Sequence, residues 1–157
     1  MGTYDSVAAD ATRGFLLERG RFATVHVPEA KSTQVQGINN RGQISGGAGP
    51  LEARIGFVLD RGRFTTFTVP GAQVTFVYGI NDQGQIVGFS AASLTATAVS
   101  GFLRDARGRF TAINRPGATV TVPFDLNNRG QIVGVAGTSD PPPSPPAADP
   151  APMGRIA

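Results

Sequence analysis

Few side chains in this 157-residue chain could do chemistry. His26 is the only histidine and there is no cysteine, so the sequence offers neither a zinc donor set nor a thiol nucleophile. A serine triad would have to use His26, and no serine lies in a Gly-x-Ser-x-Gly sequence. We therefore interpret His26 as a solvent-facing strand residue, and we predict no catalytic residues, no metal site and no cofactor.

Acidic and amide side chains recur at predicted turns. Asp82 occupies the position that Asn40 and Asn128 hold in sequences of the form Asn-(Asn/Asp)-x-Gly. Asn and Asp favour tight turns because their side chains bond nearby backbone groups. Two of the three turns lack the carboxylate, so the pattern favours a turn over a calcium loop.

The sequence contains three similar segments, and the candidate ligand contacts lie in and after the loop that precedes the third predicted strand of each segment. At these positions the segments either carry a polar residue or differ from one another. One equivalent position holds a threonine in every copy, the next variable position holds Gln, Tyr or Phe, and an aspartate once replaces a glycine. Such variation is typical of a binding face on a repeated scaffold, and it is also what unconstrained drift produces. The candidates are Thr33, Gln36, Thr75, Tyr78, Thr121, Phe124 and Asp125.

An internal repeat must position these residues. Three similar segments, each starting at Gly-Phe and ending at Gln-Ile-x-Gly, cover residues 14–46, 56–88 and 101–134. Each contains four short runs rich in β-branched and aromatic residues, punctuated by Gly and Pro, and no run has helical periodicity. The runs predict four strands, A to D, which in one unit are residues 34–39, 43–46, 56–60 and 64–69.

Turn and core residues fit this strand prediction. Gly42, Gly84 and Gly130 follow the Asn turns, where a hairpin needs a positive φ. Pro28, Pro70 and Pro116 are expected to end strand D, because proline cannot donate to a ladder. The phenylalanines of the Gly-Phe and Gly-Arg-Phe pairs are predicted to be core residues: Phe15, Phe22, Phe57, Phe64, Phe102 and Phe110.

The composite pattern GFL…GRF…PGA…GIN(N/D)xGQIVG resembles the HAF-type "probable extracellular repeat" family. The resemblance covers about residues 2–134. The first copy departs from the pattern at Glu29 and Ser45, and the third departs at Phe124-Asp125-Leu126. The resemblance implies a secreted or surface protein of repeat architecture, with no catalytic activity and no defined ligand.

The predicted fold is all-β, with four-stranded repeats like the blades of a β-propeller, whose repeats span ~40–45 residues. A β-trefoil or another pseudo-three-fold β fold is the alternative. If each sheet runs from strand A to strand D, strands C and D of the first copy have no A and B to pair with, and strands A and B of the last copy have no C and D. Three blades lie below the usual range of propellers, so we expect a homo-oligomer, most simply a dimer with six blades.

Composition separates residues 1–138, a three-repeat β domain, from residues 139–157, a proline-rich tail predicted to be disordered. The tail is interpreted as a linker, with an SH3 or WW ligand as the alternative. The net charge of +3 comes from scattered arginines, so we predict no nucleic-acid partner, and no apolar run is long enough for a membrane span. The predicted function is a non-catalytic binding or scaffold module for an unknown ligand, with carbohydrate and protein as the candidate classes. An enzyme with its site in a propeller channel, or a structural self-assembly module, are the alternatives.

Overall fold

A computed structural model describes residues 12–138 of the chain. These residues form antiparallel β-sheets and one 3-10 turn at Leu51–Ala53, and they contain no α-helix. The all-β prediction is therefore confirmed for the described part of the chain. The predicted proline-rich tail, residues 139–157, lies outside it.

Twelve strands make up the fold. They are β1 (Gly14–Glu18), β2 (Arg21–Val25), β3 (Thr33–Ile38), β4 (Ile44–Ala48), β5 (Ile55–Asp60), β6 (Arg63–Phe67), β7 (Val74–Ile80), β8 (Ile86–Ala91), β9 (Ser100–Arg104), β10 (Phe110–Ile113), β11 (Val120–Leu126) and β12 (Ile132–Gly137).

The strands pair in the phase that the repeat predicts. Two sheets have four strands in chain order, β3-β4-β5-β6 and β7-β8-β9-β10, and the remaining pairs β1-β2 and β11-β12 form two-stranded sheets. The predicted four-stranded antiparallel unit is thus confirmed. Each strand D is shorter than predicted. In the β3–β6 sheet, β6 ends at Phe67, because the backbone N–H of Val69 donates to Thr75 Oγ1 at 3.1 Å and not to the neighbouring strand.

The core lies between successive sheets. One cluster joins Val25 of β2 to Ile44 and Phe57 of the next sheet. A second cluster places Ile86 and Phe102 of the β7–β10 sheet against partly buried Val58 and Phe67 of the β3–β6 sheet and against Val69 just beyond it. Phe57 and Phe102, which hold the same repeat position, therefore each face the sheet that precedes theirs in the chain.

The predicted core phenylalanines divide according to whether a preceding sheet is present. Phe57 and Phe102 are buried and Phe64 and Phe110 are partly buried. For Phe15 and Phe22 the prediction is wrong, because both rings are exposed. The physical reason is positional: β1 and β2 form the first sheet of the described chain, so no earlier sheet covers their outer face.

The three turn glycines have the backbone that the sequence predicts. The φ angles of Gly42, Gly84 and Gly130 are 76°, 74° and 77°. A Cβ added at Gly42 would meet no atom within 4 Å, so any cost of a side chain there comes from the backbone alone.

We expect Gly42→Val to lower the free energy of unfolding by about 1–2 kcal/mol, because a β-branched residue is strained at this φ. Urea denaturation of the full chain measures the change. Gly137→Val is the matched control, since Gly137 also has open space around it but no positive φ. Equal stability of the two variants would contradict the turn assignment.

Candidate functional site

The three predicted threonines hold the loop before each strand A. Thr33, Thr75 and Thr121 are buried. Their Oγ1 atoms accept hydrogen bonds from the backbone N–H of Val27, Val69 and Arg115 at 3.0, 3.1 and 3.1 Å. These hydroxyls stabilise the turn that carries the chain from one sheet to the next, and burial removes them from the candidate ligand surface.

The other predicted positions lie where the inner strands bulge. The pairing register shifts after Val35 in β3, after Val77 in β7 and after Pro123 in β11. Gln36, Tyr78 and Phe124 follow those residues directly, so they occupy the irregular positions. A β-bulge re-aims side chains and is common beside functional sites. The sequence showed that these positions vary, but it did not show the bulges.

The structure brings the four remaining candidates together in one depression. Its volume is about 360 Å³, within the ~300–1,000 Å³ of small-ligand pockets. Strands β3, β7 and β11 each contribute to it, so all three repeats meet there. The lining residues are Gln36, Gly37, Ile38, Tyr78, Gly79, Ile80, Phe124 and Asp125.

Aromatic rings form one side of this depression. The rings of Tyr78 and Phe124 meet edge to face, with centroids 5.3 Å apart and planes at 81°. Phe89 lies behind Tyr78 at 6.0 Å and stacks on Phe76 at 4.6 Å. Phe124 is exposed and Tyr78 half-buried, so the pair offers apolar surface to solvent from a packed support.

Asp125 supplies the acidic group of the depression. Its carboxylate is exposed, and Oδ1 accepts a hydrogen bond from the N–H of Leu126 at 2.9 Å. The side chain lies against Gly79, where a Cβ would come within 2.7 Å of Oδ1. The glycine of the middle repeat therefore makes room for the aspartate of the last.

Arg54 lies behind the aromatic group and is not among the residues that line the depression. It is buried, its Nη2 donates to Gln34 Oε1 at 2.6 Å, and its Cζ lies 5.3 Å from the centroid of Phe76. Burial lowers the pKa of the guanidinium, an effect that the nearby Tyr78 opposes. Sequence reasoning missed this residue, because Arg54 lies between the repeats and has no counterpart.

No family model, curated protein or solved structure matches this chain. The resemblance to the HAF-type repeat therefore stays a prediction made from the motifs. Within residues 12–138, no helix is long and apolar enough to cross a membrane.

An asparagine ladder links the turns between strands A and B, next to the depression. Asn39 Nδ2 donates to the carbonyl of Asn81 at 2.8 Å, and Asn81 Nδ2 donates to the carbonyl of Asn127 at 3.1 Å. Within each turn the same asparagine bonds the glutamine four residues later; for Asn81, Nδ2 to Gln85 Oε1 measures 2.7 Å. The recurrence of Asn and Gln at this spacing was the signal that sequence reasoning assigned to turns alone.

Asp82 forms a second, outer link between the same turns. Its carboxylate accepts hydrogen bonds from the N–H and side-chain amide of Asn40 at 2.8 and 2.9 Å, and from Asn128 Nδ2 at 2.8 Å. These bonds, that of the Asn40 side chain foremost, hold the pKa of Asp82 below its ordinary value. The Asp82 carboxylate therefore links the turns of neighbouring repeats. No group of three or more potential metal-ligating side chains occurs in the described part of the chain.

His26 lies just beyond the end of β2, not on it, and is half-buried. Its Nδ1 is 3.4 Å from Thr33 Oγ1. It belongs to the loop that Thr33 stabilises, and it does not line the depression.

Proposed function

We propose that the chain is a non-catalytic repeat module that binds a ligand at the depression between the bulges of β3, β7 and β11. One observation carries this proposal: positions that differ between the repeats, Gln36, Tyr78 and Phe124, converge on a single concave surface. Random drift would vary exposed positions anywhere, whereas these three occupy bulges that point into one site.

A propeller-like arrangement of the sheets accounts for this convergence. Successive four-stranded antiparallel sheets pack face to face through their apolar residues, and the first strand of each sheet packs beside the first strand of the next. In a β-propeller the first strands surround the central channel. The depression would then lie at the mouth of such a channel, where repeat-built scaffolds bind their ligands.

The groups lining the depression favour carbohydrate over other ligands. An exposed ring at Phe124, supported by Tyr78, can cover the apolar face of a sugar, and the Asp125 carboxylate and Gln36 amide can bond hydroxyl groups. An extracellular location, which the family resemblance implies, would bring the module into contact with glycans. A protein segment with an aromatic or proline side chain is the alternative ligand.

Catalysis is the weaker interpretation of the same surface. Glycoside hydrolysis uses two carboxyl groups separated by about 5–9.5 Å. Asp125 is the only acidic residue among those lining the depression. Binding requires only the groups that are present there.

A glycan array with the labelled full-length chain tests the proposal, followed by titration of a glycan that binds. We expect Phe124→Ala and Tyr78→Ala each to weaken binding about tenfold, the effect of losing roughly 1.4 kcal/mol of ring contact. Asp125→Asn should weaken binding less, since the amide keeps one acceptor.

Leu94→Ala is the control for this titration, because Leu94 is an exposed apolar residue outside the depression. Its affinity should equal that of the unaltered chain. Unchanged affinity in all three depression variants would place the binding site elsewhere. Release of a cleaved product from the bound glycan would replace the binding function with an enzymatic one.

A further inference from the structure

Both ends of the repeat array expose apolar residues whose counterparts inside the array are buried. Phe15 is 64% exposed, whereas Phe57 and Phe102 at the same repeat position are 0% and 2% exposed. Ile38 is 56% exposed against 7% for Ile80. These residues lie on the β1 and β3 side of the array, where the described part of the chain provides no further strands to cover them.

The opposite end shows the complementary pattern. Val133 in β12 is 64% exposed, whereas Val87 at the same position in β8 is 0% exposed. Val135, two residues further along β12, is also exposed. Within residues 12–138, one end of the array therefore has no preceding sheet and the other has no following sheet.

The exposed phenylalanines at the first end already have the geometry of a buried pair. The rings of Phe15 and Phe22 meet edge to face at 5.5 Å and 64°. The internal pair, Phe57 and Phe64, meets at 5.6 Å and 64°. The exposed face of β1 and β2 therefore has the same ring geometry as the faces that pack against a preceding sheet inside the array.

Two strand edges match these faces. Among residues 12–138, β1 pairs only with β2, and β12 pairs only with β11. In each complete sheet, the second strand pairs with the third so that a glycine opposes a phenylalanine: Gly46 with Phe57, and Gly88 with Phe102. Gly134 and Phe15 are the next glycine and phenylalanine in this series, on the two unpaired edges.

A groove marks the place of the missing strands. It has a volume of about 450 Å³ and runs between β1 and β3. Inside the array, the equivalent strand β7 packs against β3, β4 and β5 of the preceding sheet. The groove therefore lies where the first two strands of a preceding sheet would pack on β3.

We infer that the occupant of these surfaces is a second copy of this chain, with β12 of one copy pairing antiparallel with β1 of its partner. The register places Gly134 opposite the partner's Phe15 and Val133 opposite the partner's Leu16. Pairing at both ends closes a ring of two chains. This stoichiometry rests on the propeller arrangement proposed above: propellers have about four to eight blades, and of the multiples of three only six falls in that range.

The asparagine ladder supports the same closure. Asn127 Nδ2 bonds Gln131 Oε1 at 2.7 Å, but it has no following turn to donate to within the described residues. In the ring, the partner's Asn39 offers its backbone carbonyl at the place where Asn81 and Asn127 offer theirs. The partner's Gln36 would also lie beside Phe124, so the second copy would extend the depression.

Disulfide cross-linking of the full-length chain tests the register, since the chain has no cysteine of its own. Leu16→Cys combined with Val133→Cys should give a covalent dimer under mild oxidation, because directly opposed residues lie about 4.5–5.5 Å apart, within disulfide range. The control combines Leu16→Cys with Val135→Cys. That pair is shifted by two residues to about 7–8 Å, and should cross-link at least tenfold less.

Light scattering of the unaltered chain should give twice the 16.2 kDa of one chain. Phe15→Glu should give a folded monomer, because Phe15 is exposed and no preceding sheet covers it among residues 12–138, and Leu94→Glu should stay dimeric. Four results would overturn the inference: a monomer at micromolar concentration, a larger assembly, a cross-link within one chain, or equal cross-linking of both cysteine pairs. Glycan binding is measured separately, so a dimer that binds no glycan would reject the proposed function and leave this interface standing.

Discussion

Phe57→Ala is expected to lower the free energy of unfolding by about 3–5 kcal/mol, the usual cost of truncating a buried aromatic residue. Phe57 has no exposed surface and packs between two sheets, against Val25, Ile44 and Ala48. It also meets Phe64 edge to face. Loss of the ring leaves a cavity at the junction of β1-β2 with the next sheet. Urea denaturation followed by circular dichroism measures the change.

Phe15→Ala is the matched control, made at the same repeat position and in the same kind of ring pair. Measured at a dilution where the chain is monomeric, it should cost less than about 1 kcal/mol, because exposed substitutions have small effects. If Phe57→Ala prevents folding, Phe57→Leu provides a milder variant that should still be less stable than Phe15→Ala. Equal losses at the two positions would contradict the assignment of Phe57 to the core.

Asn81→Ala is the second substitution with a large expected effect, a loss of about 2–4 kcal/mol. The Asn81 side chain is buried and bonds two turns at once: it accepts from the N–H of Gln85 at 2.9 Å and donates to the carbonyl of Asn127 at 3.1 Å. Its removal leaves the N–H of Gln85 and the carbonyl of Asn127 without these partners at partly buried positions, and each lost bond costs about 1–2 kcal/mol. Thermal melting of the full chain gives the measurement.

Asp105→Ala is the control for Asn81→Ala, because Asp105 stabilises only its own turn whereas Asn81 also bonds a neighbouring repeat. Asp105 accepts the N–H groups of Arg107 and Arg109 within its own turn, both at 2.9 Å, and bonds no other repeat. Its loss should cost about 1 kcal/mol, as for a helix or turn cap. If Asn81→Ala is no more destabilising than Asp105→Ala, the ladder contributes nothing beyond local turn formation.

The strand phase could be predicted because each repeat carries strong local signals. Gly42 and its counterparts favour a hairpin, and the recurring prolines Pro28, Pro70 and Pro116 indicate the end of each strand D, which stops three residues earlier. Periodicity and turn chemistry are local properties, so one sequence suffices to reveal them. The two complete sheets and both two-stranded remainders were predicted on this basis.

The candidate site was predictable only in part, because its geometry depends on contacts between repeats. Sequence variation selected Gln36, Tyr78 and Phe124, which do share a depression, but it equally selected Thr33, whose hydroxyl serves a loop. A β-bulge shifts pairing by one residue without a distinctive residue type, so the strands gave no sign of it. Burial at the ends was mispredicted for Phe15 because repeat identity does not show which neighbours are present.

The asparagine ladder gives the array a direction. Each side-chain amide donates toward the following repeat, and each backbone carbonyl accepts from the preceding one. In such an array each repeat interacts only with its neighbours, and the hydrogen bond to the next repeat contributes part of its stability. Opening should then start at a terminal turn and spread inward. Amide hydrogen exchange in the isolated chain is expected to be faster at the terminal turns of Asn127 and Asn39 than at the Asn81 turn, which is linked on both sides.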